Sequence, residues 1–260
     1  MKISISSVSI PAIGHPDVAL PDRDDAATSE CPDLHSATVS YARRFEGPAG
    51  RWMLAVQSDV LAKLMAPWRG ARVLDTGGGH GQVGAALAPL GHRIVLHATS
   101  PDAVGLGRIH AAEVVHGPLD RAPVADRSVD VAVALRMMPH VEDWRALVAG
   151  LCRAADDAVI VDFPIPGGVN ALEPLFFRLK QKVEGNTRRF GTMRKAEVAA
   201  EFRRNGFEVD AVVGQFVLPM VVHRKLDRPE VSRVLEGLCR ATGLARWIGT
   251  PVLMRARRRA

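Results

Sequence analysis

Cysteine is scarce in this 260-residue chain: Cys31, Cys152 and Cys239 are all it has, and no two stand at C-x-x-C spacing. An odd, dispersed set argues against a disulfide framework or a zinc site and suits a reducing, cytoplasmic compartment. Aromatic residues are also few, 5% of the chain with Tyr41 as the one tyrosine. Stacking platforms for single-stranded nucleic acid are therefore lacking, and a nucleic-acid partner is not expected. No apolar run is long enough for a transmembrane helix. The first ten residues alternate in polarity, which makes a poor signal peptide and suits an edge strand or ordered arm. No H-x-x-E-H motif, Ser-His-Asp order or paired-carboxylate spacing stands out, so metal-assisted hydrolysis and acyl transfer lack support and no metal ligands are expected.

What the chain does have is apolar residues, 47% of the total, enough for a sizeable core in one α/β domain with insertions. Its most informative stretch is Arg72-Val-Leu-Asp-Thr-Gly-Gly-Gly-His-Gly81. A short buried strand ends in a carboxylate, Asp75. A turn of Gly77, Gly78, Gly79, His80 and Gly81 follows, and an amphipathic segment, Gln82 to Leu90, begins at once. Strand, glycine turn and helix together present backbone N–H groups to a ligand. Further strands are predicted at 91–97, 113–116, 126–135, 158–162, 207–213 and 250–255. Helices are predicted to start at Ser100-Pro101-Asp102 and to span Glu142–Ala154 and Arg194–Asn205. This alternation predicts a parallel sheet covered on both faces.

Gly79-His-Gly-Gln-Val-Gly84 also fits the dinucleotide fingerprint G-x-G-x-x-G, but Asp75 interrupts the apolar strand that should lead into it. The pattern Val73-Leu-Asp-x-Gly-x-Gly-x-Gly81 instead resembles the first motif of class I S-adenosylmethionine-dependent methyltransferases. Pro123-Val-Ala-Asp-Arg-Ser-Val-Asp130 and Met138-Pro-His-Val-Glu-Asp143 are similar to the stretches around that family's fourth strand. The resemblance covers roughly residues 71 to 163, and its nearest form is the ubiquinone and menaquinone biosynthesis type. It implies a Rossmann-like three-layer sandwich whose seven-stranded sheet is parallel except for an antiparallel last strand. It implies S-adenosylmethionine as cofactor and methyl transfer to a small-molecule or lipid-like acceptor. It divides the chain into an N-terminal arm (1–40) and a domain (41–260) with substrate-side insertions at about 164–190 and 214–248. Residues 11–36 are expected to form a loose lead-in.

The resemblance assigns cofactor contacts to Asp75, Gly77, Gly78, Gly79, His80 and Gly81. The family's ribose-binding acid at the end of the second strand is replaced by Ala98, with Thr99 offering a hydroxyl beside it. After the third strand, Leu119 and Asp120 take the place next to the adenine, where the family's acid is replaced by Pro118. Tyr41, in a segment that precedes the sheet, is a further contact, and Arg44 or Arg51 could meet the cofactor carboxylate. His140 is the candidate general base, and Arg136 would hold an anionic acceptor or seal the cofactor pocket. The alternatives are a non-catalytic module of the same fold and a nicotinamide-dependent oxidoreductase.

The formal charge of +6 is unevenly distributed. Seven basic residues and one acid lie between Arg178 and Lys195, and a second cluster is Arg255-Ala-Arg-Arg-Arg259. An anionic membrane surface, met through 178–195, or an acidic substrate suits such patches; a solvated basic face is the competing reading. Nothing in the sequence fixes an oligomeric state.

Overall fold

The computed structural model describes residues 31–43, 45–166 and 191–259. Seven strands form one sheet: β1 (Arg72–Thr76), β2 (Arg93–Ala98), β3 (Ala111–His116), β4 (Val129–Ala134), β5 (Ala155–Phe163), β6 (Phe207–Phe216) and β7 (Thr250–Arg258). Their order is β3-β2-β1-β4-β5-β7-β6. β1 to β5 pair in parallel, whereas β7 runs antiparallel to both β5 and β6. The expected Rossmann-like architecture with an antiparallel last strand is therefore present. Order reverses at β1 and β4, so the crevice beyond their C-terminal ends is the place for a ligand.

The central strands are apolar on both faces because helices cover both. On one face Leu74, Val159 and Phe163 pack with Leu147, Val148 and Leu151 of α5 (Trp144–Ala154). On the other, Val73, Val133 and Ile160 pack with Leu61, Leu64 and Met65 of α3 (Gly47–Met65) and with Val83 and Leu87 of α4 (Gln82–Leu87). α5 starts where the Asp143 side chain accepts from the N–H groups of Arg145 and Ala146.

Two segments depart from expectation. After β2 the helix expected from Ser100 is replaced by two 3-10 turns, Pro101–Ala103 and Gly105–Ile109. Gly105 has positive φ (46°), and the Gly107 N–H donates to the Gly79 carbonyl at 3.2 Å, so this segment lies against the glycine turn. A regular helix would break that contact. In the expected lead-in, residues 32–36 form α1 (Pro32–Ser36), with Asp33 and Ser36 buried. The boundary drawn at residue 40 falls inside α2 (Val39–Arg43).

α6 (Lys195–Arg204) precedes β6. Between β6 and β7 stand α7 (Met220–Leu226), α8 (Pro229–Ala241) and α9 (Leu244–Ile248), over the stretch read as a substrate-side insertion. A buried polar clamp holds this unit together. Ser232 Oγ lies 2.9 Å from His223 Nδ1, and Glu236 Oε1 lies 3.1 Å from His223 Nε2. The Glu236 carboxylate also accepts from the N–H groups of Val217 and Leu218. Spacing along the chain gave no sign of this Ser-His-Glu set. All three side chains are sealed from solvent, so the set acts as a structural clamp rather than a hydrolytic site. Burial works to raise the Glu236 pKa, but the hydrogen bonds from His223, Val217 and Leu218 hold it below its ordinary value. The Trp52 ring stacks edge-on against His223 and Phe216, and Asp227 accepts from the Ala49 N–H, which docks the unit on α3. Glu236→Ala should cost on the order of 3 kcal/mol in urea unfolding, because it strands a histidine and two N–H groups in the interior.

Candidate functional site

Three consecutive strands in the sheet, β1, β4 and β5, end in polar groups that face one another. Asp75 lies in β1, one residue before its end, Asp162 in β5, one residue before its end, and Arg136 follows β4 between them. Both carboxylates are buried. The Asp162 carboxylate accepts from the Arg136 backbone N–H and, at 2.8 Å, from Gln57 Nε2 of α3. Arg136 adopts positive φ (60°), which a non-glycine residue holds only when its surroundings fix it. Its guanidinium is covered by the rings of Phe45 (4.7 Å to the centroid) and Tyr41 (5.6 Å).

Burial pushes the Asp75 carboxyl up from 3.8 to about 7, against the opposing pull of the Arg136 charge. Burial likewise lifts Asp162 to about 6, with the Arg136 N–H, the Arg136 charge and Gln57 acting the other way. Asp75 Oδ1, Arg136 Nε and Nη1, and His80 Nε2 are buried without a hydrogen-bond partner. Unpaired buried polar atoms are costly. A carboxylate oxygen and guanidinium N–H groups left open at neighbouring strand ends fit the ammonium and carboxylate of a bound amino acid.

The glycine turn is shaped by this cluster. Gly77 has positive φ (72°) and its N–H donates to the His97 carbonyl at 2.8 Å. A Cβ on Gly78 would lie 1.9 Å from Asp75 Oδ2, so the carboxylate sits directly against the turn. Gly79 meets the Ala103 carbonyl and Ala37, while Gly81, also at positive φ, donates to the Gly78 carbonyl and opens α4. The His80 ring accepts from the Gln82 N–H, and burial lowers its pKa well below the ordinary value, helped by the Arg136 charge.

At the end of β2, Ala98 is buried and Thr99 presents its N–H and hydroxyl to one acceptor, the carboxylate of Asp33, both at 2.7 Å. Asp33 comes from α1 and is fully buried. His97 lies 3.4 Å from Thr76 Oγ1 and 3.1 Å from the Gly117 carbonyl. That pairing fits a neutral ring with its proton on Nε2, and burial lowers its pKa accordingly.

The structure thus gathers Asp75, the glycines, His80, Arg136 and Tyr41, and sets Ala98 and Thr99 along the next strand. Leu119 is packed into the core beside Leu74 and Val95, so its side chain contributes to packing. Asp120 is exposed, with its backbone against Gly150 of α5. His140 is half-buried in a turn that its N–H closes onto the Met137 carbonyl. Arg51 is exposed, and Arg44 lies outside the described residues. Asp33, Gln57 and Asp162 were missed from sequence. Asp162 had a signal, since like Asp75 it is a carboxylate near the end of a buried apolar strand. Asp33 had none, because its partner is 66 residues away. Of the basic clusters, residues 178–190 lie outside the described residues. The C-terminal cluster is no open patch: Arg255, Arg257 and Arg259 pair with Asp210, Asp157 and Glu208, and Arg258 donates to backbone carbonyls.

Comparison with known proteins agrees with this geometry. Residues 74–158 match the family described as "Methyltransferase domain". Magnesium protoporphyrin IX methyltransferase from Synechocystis PCC 6803, solved with bound SAH, aligns at 16% identity and TM-score 0.59, over 87% of this chain and 100% of that one. A SAM-dependent methyltransferase from Thermotoga maritima aligns at 17% identity and TM-score 0.60, over 88% and 99%. The 1,6-didemethyltoxoflavin-N1-methyltransferase of Burkholderia thailandensis aligns at 15% and 0.52, over 80% and 79%. No curated protein sequence matches significantly. The chain has the fold of the class I S-adenosylmethionine-dependent methyltransferases, and its residues 74–158 are similar to a methyltransferase domain.

Two outcomes follow from the site. Gly78→Ala should displace Asp75 and abolish ligand binding at the turn, measured by titration, while the far-ultraviolet dichroism is kept. The second concerns pH. The Asp75 carboxyl holds its proton more tightly in the folded chain than in the unfolded one, so its contribution to stability is complete at low pH and is lost as pH rises from 3.8 toward about 7. The stability of the wild type relative to Asp75→Asn should therefore fall by about 1–2 kcal/mol between about pH 5 and about pH 7 in denaturant titrations.

Proposed function

We propose that this protein is an S-adenosylmethionine-dependent methyltransferase acting on a small-molecule or lipid-like acceptor. The observation that carries the reading is the set of unpartnered buried polar atoms on Asp75 and Arg136 beside the glycine turn. When bound, S-adenosylmethionine supplies a methyl group on a sulfonium, open to in-line displacement by a nucleophile.

The residues of this chain would divide the work of holding it. Asp75 faces the ammonium, and its ionised form is the one an ammonium favours. Arg136 faces the carboxylate, and Tyr41 and Phe45 cover the guanidinium and exclude water from the pair. Gly77 to Gly81 let the backbone approach closely. Asp33, held by Thr99, supplies at the end of β2 the ribose-binding carboxylate that Ala98 lacks. Methyl transfer asks the protein mainly to position the acceptor and keep water out. His140, beyond the end of β4, takes the acceptor's proton where one must leave.

A small-molecule acceptor is supported by the neighbours, whose names give magnesium protoporphyrin IX and 1,6-didemethyltoxoflavin as their substrates. The quinone-biosynthesis resemblance extends that class to lipid-like acceptors, and a cytoplasmic location, with contact to a membrane, accords with it. A second reading rests on α1. Ala37, which follows it, would touch a Cβ placed on Gly79 or Gly105, at 3.0 and 3.1 Å. That close cover also suits a domain whose groove is filled by its own N-terminal segment, a non-catalytic module.

Thermal unfolding with ligands separates the readings. S-adenosylhomocysteine should raise the midpoint in a saturable way and NAD should not; a shift with NAD alone would favour the oxidoreductase, and no shift with either would favour the filled groove. Asp33→Asn should weaken S-adenosylhomocysteine binding about tenfold or more, because the carboxylate that accepts both Thr99 bonds at the end of β2 is replaced by a neutral amide with one acceptor oxygen.

A further inference from the structure

Helix α8 is turned inside out. Its residues sealed from solvent are Ser232 and Glu236, while Val231, Val234 and Leu238, at helical spacing along one face, are exposed, the last two by 63% and 62%. A helix covering a core normally does the reverse. The inversion is held in place by the His223 clamp, which ties the polar side of α8 to α7 and to the end of β6. α9, packed next to α8, continues the pattern with Leu244 exposed and Trp247 exposed by 76%.

The net charge around this face is positive. Between Pro219 and Gly249 there are six basic residues and three acids. Of the acids, Glu236 is buried in the clamp, Asp227 accepts from the Ala49 N–H, and Glu230 lies 3.9 Å from Arg233. Lys225, Arg228, Arg233, Arg240 and Arg246 are exposed. A second copy of the chain seated on the face across a twofold axis would bring these cations against themselves. Segment 167–190 of the same chain carries five basic residues and two acids, so it also has the wrong sign; segment 1–30 carries two basic residues and five acids, and its seating on the face would show as failure of the full chain to bind vesicles. The occupant that fits is apolar within and anionic at its edge.

We propose that the outward face of α8 and α9 docks the protein on an anionic lipid bilayer. Val234, Leu238, Leu244 and Trp247 enter the headgroup boundary, and the surrounding Arg and Lys side chains reach the lipid phosphates along their apolar stems. Tryptophan is the side chain that favours this boundary. No helix among the described residues is long and apolar enough to cross a membrane, so the contact is peripheral. This contact is independent of the cofactor assignment and lies over residues 229–248.

Co-sedimentation of the full chain with vesicles tests it. Vesicles of phosphatidylcholine mixed with phosphatidylglycerol should bind the protein, pure phosphatidylcholine should not, and added salt should weaken the binding. Val234→Asp with Leu238→Asp should lower the affinity about tenfold or more, with circular dichroism and thermal midpoint unchanged because both side chains lie outside the fold. Trp247→Phe should remove most of the blue shift in tryptophan emission on binding, a readout that does not depend on the double variant. Four results would overturn the proposal: absence of binding, binding unchanged in the double variant, a wild-type dimer that the double variant dissociates, and capture of an acidic amphipathic peptide without any capture of vesicles.

Discussion

The site depends on one arginine set between two strands that each carry a buried carboxylate. β4 lies between β1 and β5 in the sheet, so Arg136, just beyond β4, is flanked by Asp75 and Asp162. The three groups do not cancel one another. Asp162 is occupied by the Arg136 backbone N–H and by Gln57, whereas Asp75 Oδ1 and two guanidinium nitrogens remain open. Burial costs a carboxylate and a guanidinium their hydration, and the aromatic cover and their mutual attraction offset only part of it. The proposed ligand brings both charges to these strand ends, and the cost of burial shows in the raised carboxyl of Asp75.

Segments outside the sheet complete the arrangement. The sheet presents the polar ends, but α1, α2 and the loop after α2 cover them. Asp33 is delivered to Thr99, Tyr41 and Phe45 to Arg136, and Ala37 to the glycine turn. The 3-10 turns after β2 form the other wall, where Gly105 and Gly107 allow backbone to meet backbone. The same logic governs α7 to α9, where a polar clamp replaces an apolar core and leaves the apolar side of α8 facing outward.

Much of this was legible in the sequence for a physical reason. Strands buried on both faces must be apolar runs, and a tight turn against a carboxylate must be glycine, so β1 to β5, Asp75 and Gly77 to Gly81 announce themselves. The antiparallel last strand came with the family resemblance, and Arg136 with its place at the end of the fourth strand. What could not be read depends on contacts distant along the chain. Asp33 looks like any polar residue of a loose segment until Thr99 is seen beside it. Ser232 and Glu236 look like the exposed side of an amphipathic helix, and only the position of His223 turns them inward. The stretch after Ser100 carries helix-start signals, but its packing against the Gly79 carbonyl overrides them.

The central claim is that Asp75 and Arg136 wait for an amino-acid zwitterion. Its most direct test is calorimetric titration with S-adenosylhomocysteine near neutral pH in two buffers of different ionisation enthalpy. Because Asp75 is half-protonated near about pH 7 and an ammonium favours its ionised form, binding should release a proton into the buffer. The release should vanish in Asp75→Asn. Binding with no proton release, or with the same release in Asp75→Asn, would contradict the assignment of Asp75 to the ammonium. No binding at all would contradict the account as a whole.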